Sequence, residues 1–171
     1  MKLTTTKDRL PNVLAAIKAL TKSEVLIGVP HENAPRSDAE DAARKASGEP
    51  ITNAEIGYIN EFGSPEANIP ARPHLIPGVE SVKDRAATIL GNGARKALSG
   101  DPGAVQTTLT KAGLVGETAV KDRINEGPHV PLSPATLASR RRRGRTGEKP
   151  LVDTGQYRNS ITHVVRPKGG E

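Results

Sequence analysis

Between Val79 and Glu126 apolar residues return every three or four positions, and the run is broken once, at Asp101-Pro102. That periodicity belongs to helices that bury one stripe. Val79, Val82, Ala86, Ile89, Gly93 and Ala97 form the stripe of a first helix ending near Leu98. Val105, Leu109, Ala112, Gly116, Ala119 and Ile124 form that of a second, which ends at Glu126 and is closed by Gly127. With Asp101 as N-cap and Pro102 at N1, the two helices make an αα-hairpin. Gly91, Gly93, Gly113 and Gly116 lie inside it, where each costs about 1 kcal/mol relative to Ala, so close backbone approach or a bend must compensate.

The flanking segments are shorter. Leu10, Val13, Leu14, Ile17 and Leu20 share one helix face over residues 7–20, and Glu24 to Val29 reads as a buried strand stopped by Pro30. Residues 31–50 carry no large apolar side chain and are expected to be a mobile segment outside the core. Thr52-Asn-Ala-Glu55 is a capping box for a helix with Ile56, Ile59 and Phe62 on its apolar face and Gly63 at its end. Ser64 to Pro77 is an extended arm, with φ fixed and a donor removed at Pro70, Pro73 and Pro77. Ser133-Pro134 starts a short helix through Ala138; residues 140–149 are expected to be mobile and polar; Asp153 is a second N-cap with Gln156 at the box position. Ile161 to Val165 reads as the last strand, followed by a polar tail, 166–171.

The core those elements can build is thin. Only 35% of the residues are hydrophobic and the only aromatic residues are Tyr58, Phe62 and Tyr157, so Ala, Leu, Ile and Val supply nearly all buried area. Residues 1–171 are therefore read as one domain, with support from neighbouring subunits through mass action. The absence of cysteine excludes a disulfide framework and thiolate chemistry and fits assembly in a reducing cytoplasm. Neither a signal peptide nor a membrane span is expected.

The net charge of +6 sits against 19 acidic residues, and the excess is concentrated at Arg140, Arg141, Arg142, Arg143 and Arg145. Such a run is a solvated loop, a contact for an acidic protein surface, or a non-specific contact to DNA phosphates. No aromatic is interleaved to stack bases. Asp153-Thr-Gly155 has the look of an aspartic-protease loop, but only 16 residues follow it, too few for the remaining strands, so helix capping is the reading adopted. His31, His74, His129 and His163 are scattered without a second ligand at metal spacing, and no phosphate-cradling glycine loop is present. Neither a metal, a cofactor nor catalysis is expected. A converging pocket of strongly coupled titratable groups, or turnover on any substrate, would overturn that expectation.

Two stretches carry a resemblance. Ile59-Asn-Glu-Phe-Gly63 followed by Ile69-Pro-Ala-Arg-Pro-His-Leu75, and Pro131-Leu-Ser-Pro-Ala-Thr136 followed by Lys149-Pro-Leu-Val-Asp-Thr-Gly155 and Arg158-Asn-Ser-Ile161, occur in that order. Together they resemble the tail-completion and head–tail joining (neck) proteins of tailed bacteriophages, the virion-morphogenesis type, with His74 in place of a common Phe and Tyr157 in place of a common Leu. The resemblance implies an α+β fold: a small, mainly antiparallel sheet packed against the αα-hairpin and short helices. It also implies a structural virion protein, assembled in the host cytoplasm, that completes the tail or joins head to tail. Its expected partners are its own copies in a hexameric or dodecameric ring, portal or connector proteins, and tail-tube or terminator proteins, with non-specific contact to packaged DNA and no membrane. A tail terminator or assembly factor is the alternative; a basic nucleic-acid-binding accessory protein is a further one. Within this frame Pro70, Arg72, Pro73, His74, Leu75 and Pro77 are the candidate interface, a preorganised arm that docks on a neighbour or serves as a rigid internal connector.

Overall fold

A computed structural model of the chain describes residues 10–30, 51–101 and 103–169. The architecture is α+β. In chain order the elements are α1 (Leu10–Lys22), β1 (Ser23–Gly28), α2 (Asn53–Phe62), α3 (Leu75–Glu80), α4 (Lys83–Leu98), α5 (Ala104–Glu126), α6 (Pro134–Arg142), α7 (Gln156–Ser160) and β2 (Thr162–Pro167). The expected mobile segment 31–50 and the end of the tail lie outside the described residues. Within them, Arg166 and Pro167 belong to β2 rather than to a tail, because they continue its ladder to Ser23 and Glu24.

The two strands pair antiparallel, Ser23 opposite Pro167 and Gly28 opposite Thr162. Alternation then divides the sheet into two faces. Val25, Ile27, His163 and Val165 turn toward α5, while Leu26 and Val164 point outward, both exposed. Glu24 and Arg166, paired on that outer face, bond at 2.9 Å.

The centre of the molecule is α5, which packs against α3, α4 and both strands. It is buried along one broad face at Val105, Thr108, Leu109, Ala112, Gly113, Gly116, Val120 and Ile124, while Thr107, Lys111, Leu114, Thr118 and Asp122 form an exposed stripe on the other. Small residues make that crowding feasible. A Cβ on Gly93 would overlap the Thr108 side chain, one on Gly113 the His163 ring, and one on Gly116 the end of Ile27, whereas one on Gly91 meets nothing within 4 Å. Gly78 of α3 is the counterpart, since a Cβ there would sit 2.8 Å from the backbone of Val120.

Several boundaries differ from expectation for local reasons. The first hairpin helix is split: α3 ends at Glu80, Ser81 and Val82 form a turn, and α4 starts at Lys83. Pro77 lies in α3 rather than in an extended arm, since the third residue of a helix needs no N–H partner. Gly103 caps α5, and Asp101 Oδ1 accepts from its amide at 3.0 Å. The largest change of face is in α1. It buries Ala16 and packs Ala19 and Leu20 inward, because alanines let it approach the Ala97 side of α4, and it turns Leu10, Leu14 and Ile17 outward.

Candidate functional site

The capping box at Thr52 forms as read, with Glu55 N donating to Thr52 Oγ1 at 3.2 Å and Thr52 N to Glu55 Oε2 at 2.7 Å. It sets the start of α2 and so the rotation that turns Glu61 inward from the last turn. Gly63, at φ 79°, then reverses the chain, and only glycine fits: a Cβ there would lie 2.9 Å from Ala71 N. The proline arm folds back on α2, with Arg72 N donating to Asn60 O at 2.6 Å.

This return delivers His74 onto Glu61. The Glu61 carboxylate accepts three consecutive amides, from His74 at 2.7 Å, Leu75 at 2.8 Å and Ile76 at 3.0 Å, and so caps α3 from another helix. His74 Nδ1 lies 2.8 Å from Arg72 O and 3.2 Å from Glu61 Oε2, and its Nε2 is bonded to the Tyr157 hydroxyl. Those partners assign a neutral ring that donates at Nδ1 and accepts from Tyr157 at Nε2. His74 has no exposed surface.

Burial pushes the Glu61 carboxyl upward, but three amides and the His74 charge outweigh it, leaving it below the usual carboxylate range. Burial pushes the His74 imidazole down; the Arg72 carbonyl and Glu61 oppose this and the His129 charge adds to it, with a net shift downward. Burial and then the Glu61 charge raise the Tyr157 hydroxyl. A buried cluster of hydrogen-bonded titratable side chains is therefore present, which the sequence did not disclose. Its three members are buried and bonded to one another or to backbone, with Gly57 closing the far side: a Cβ there would lie 2.9 Å from Tyr157 OH.

Next to this lock lies a cavity of about 190 Å³, lined by Ile56, Asn60, Leu132 and Leu151, by Arg72 and Arg140, and by Asp153 to Tyr157. Arg72 is 8% exposed and clamps the segment before α6, its Nε donating to Val130 O at 2.8 Å and its Nη2 to Pro131 O at 3.2 Å. Arg140, 6% exposed, holds the following loop through Nη1, which donates to Gly147 O at 2.9 Å and Lys149 O at 3.0 Å. Asp153 receives both Arg140 Nε at 3.4 Å and Arg145 Nη1 at 2.5 Å. Leu151 reaches its place in the left-handed region, φ 62°, a costly conformation for a branched side chain.

Each expected site residue now has a place. Of the arm, Pro70 and Pro73 are exposed, Leu75 and Pro77 half-buried, and Arg72 and His74 are buried in the interior, so for those two the internal-connector reading replaces the interface one. Of the basic run, Arg141, Arg142 and Arg143 are exposed, and Arg141 pairs with Glu148 at 3.1 Å. Arg140 and Arg145 leave the patch because backbone carbonyls and Asp153 engage them. The run itself lies mostly in α6, which continues to Arg142, four residues past Ala138. Asp153 does not cap α7; Gly155, in the left-handed region, precedes that helix. Glu61, Asn60 and Leu151 escaped sequence reading, since each acts through partners remote in the chain.

A second polar cluster lies on the sheet side, where Glu117 accepts from Lys121 Nζ and from His163 Nδ1, both at 2.7 Å. Among the described residues no group of three His, Cys, Asp or Glu side chains is arranged to hold a metal, and no helix is long and apolar enough to cross a membrane. No protein-family model, curated protein or solved structure matches the chain.

Proposed function

We propose that the chain is a structural subunit of a tailed-phage particle, completing the tail or joining it to the head, and held in place by contacts with copies of itself and with other virion proteins. The observation that carries this reading is the distribution of apolar surface. Among the described residues the buried hydrophobic set is Ala16, Ala97, Ala104, Val105, Leu109, Ala112, Val120, Ile124, Tyr157 and Ile161, of which four are alanines. Leu10, Leu14, Ile17, Leu26, Tyr58, Phe62, Ile76, Val79, Leu98, Leu114, Val130 and Val164 are exposed. Twelve large apolar side chains of the described residues are thus exposed against six that are fully buried, the rest of the core being half-buried residues such as Val25, Ile27, Ile56 and Leu90, so a thin interior is matched by apolar surface available to partners. Tyr58 and Phe62, two of the three aromatic residues in the sequence, adjoin on that surface with centroids 4.9 Å apart and rings tilted by 51°.

The hydrogen-bonded groups fit this reading as a lock. Glu61, His74 and Tyr157 join the first resembling stretch to the second, and Arg72 and Arg140 tie the loops between them. A rigid corner built this way presents its rim in one geometry, which a subunit placed among neighbours needs. Contact with packaged DNA has weaker support, because Arg140 and Arg145 are committed internally.

Preventing synthesis of the chain during phage growth tests the reading. Electron microscopy should show heads and tails that fail to join, or unfinished tails, with infectivity restored by supplying the chain. Normal, infectious particles formed without it would contradict the proposal.

A further inference from the structure

The cavity beside the lock has a charge pattern that its own residues do not balance. Two buried guanidiniums, Arg72 and Arg140, line it beside a single carboxylate, Asp153, which Arg140 already pairs with and which Arg145 engages from outside the lining. Both lining arginines are more than nine-tenths buried, yet neither is saturated. Arg72 spends Nε and Nη2 on backbone carbonyls, and Arg140 spends Nη1 on carbonyls and Nε on Asp153. Arg72 Nη1 and Arg140 Nη2 have no acceptor among the described residues. Burying like charges together is unfavourable, and the Arg140 charge, after burial itself, depresses the Arg72 guanidinium. Guanidiniums keep their proton regardless, so the excess positive charge of the lining, with these two groups open to the cavity's solvent, persists at any physiological pH.

We propose that this cavity is a socket for a carboxylate side chain presented by a neighbouring protein. Its walls choose the class of anion. Ile56, Leu132 and Leu151 offer apolar surface for a short aliphatic stem, and the fork of a guanidinium matches a carboxylate in plane and spacing. A volume of about 190 Å³ admits one such side chain. Duplex phosphates are excluded by depth, because both arginines lie beneath the surface. Asp153 also sets the affinity, since it already satisfies part of the positive charge and leaves room for one further carboxylate. Leu151, held at φ 62°, supplies part of the wall at a conformational cost that packing in the socket offsets.

The proposal rests on the virion reading only for who presents the carboxylate. The test uses the full-length protein and two capped tripeptides, acetyl-Ala-Glu-Ala-amide and acetyl-Ala-Gln-Ala-amide, at matched ionic strength, with inorganic phosphate as a third arm. Methyl resonances of Ile56, Leu132 and Leu151 report occupancy. The glutamate peptide is expected to saturate these shifts, the glutamine peptide to bind at least about tenfold more weakly, and phosphate to bind more weakly than the glutamate peptide. Thr154→Glu, which places a carboxylate of the chain's own at the mouth, should abolish glutamate-peptide binding while leaving the melting temperature unchanged. If that variant fails to fold, Asn60→Leu, which fills the cavity from α2, takes its place. Equal binding of the two peptides, preferential binding of phosphate, binding that survives the folded variant, or no binding at all overturns the socket. Peptide binding by a chain that never assembles would sink the virion reading and leave the socket standing; assembly without peptide binding would do the opposite.

Discussion

At the scale of single residues the balance lies in hydrogen bonds that cannot be replaced once buried. Tyr157→Phe removes the donor to His74 Nε2 and leaves a ring nitrogen without a partner in the interior, a loss of about 1–3 kcal/mol expected in denaturant melts. Glu61→Gln should cost at least as much, since an amide cannot accept three backbone N–H groups as a carboxylate does. The acid side of the stability profile follows from the same cluster. The folded His74 pKa lies below its unfolded value of about 6.5, so the unfolded chain gains the proton first as pH falls. Stability is therefore lost below about pH 6.5, and Glu61, also lowered, adds to the loss as the pH drops through the range below 4.5. In His74→Gln the fall in melting temperature between about pH 7 and 5 should be shallower than in the parent; an unchanged slope would remove His74 from the account. None of these roles is legible locally. Glu61 looks like any helix-end glutamate, and Asp153 followed by Thr-Gly looks like a cap, because the amides and guanidiniums that engage them lie 13 to 15 and 8 to 13 residues away.

Elements were legible where the signal is short-range. Thr52 with Glu55, Gly63, Gly127 and Ser133 each mark a terminus through contacts within a turn, and all four mark ends in the structure. The two helices of the hairpin were readable from their spacing, but the turn at Ser81 and Val82 that splits the first, and the face α1 buries, were not. Periodicity gives a stripe without its partner, and Ala16, Ala19 and Leu20 of α1, not Leu10, Leu14 or Ile17, pack on the core beside α4. The glycines gave a conditional reading that the structure divides. Gly93→Ala and Gly113→Ala should destabilise by about 1–3 kcal/mol, since the added methyl would overlap Thr108 Oγ1 or His163 Cδ2. Gly91→Ala, facing open space, should stabilise by about 0.5–1 kcal/mol through helix propensity alone. Calorimetric scans of the three variants check the pattern; a stabilised Gly93→Ala would mean that α4 and α5 do not pack as closely as described.

At the scale of the whole molecule, a core rich in alanine and β-branched residues and a surface carrying leucine, isoleucine and two adjoining aromatics fit the proposal of a part made to be surrounded. The α+β class follows from the hairpin and the two terminal strands, and the resemblance to phage neck and tail-completion proteins supplied the idea of a ring, for which composition alone gave only a motive. The central claim is that the chain functions when held among copies of itself and its neighbours. The most direct measurement is native mass spectrometry of the full-length chain across a concentration series, run beside Phe62→Asp, which charges the exposed aromatic pair without touching the buried cluster. The account predicts a discrete closed oligomer that grows in with concentration for the parent, and a monomer of unchanged melting temperature for the variant. A parent chain that stays monomeric at the highest concentration, or an oligomer indifferent to Phe62→Asp, would contradict it.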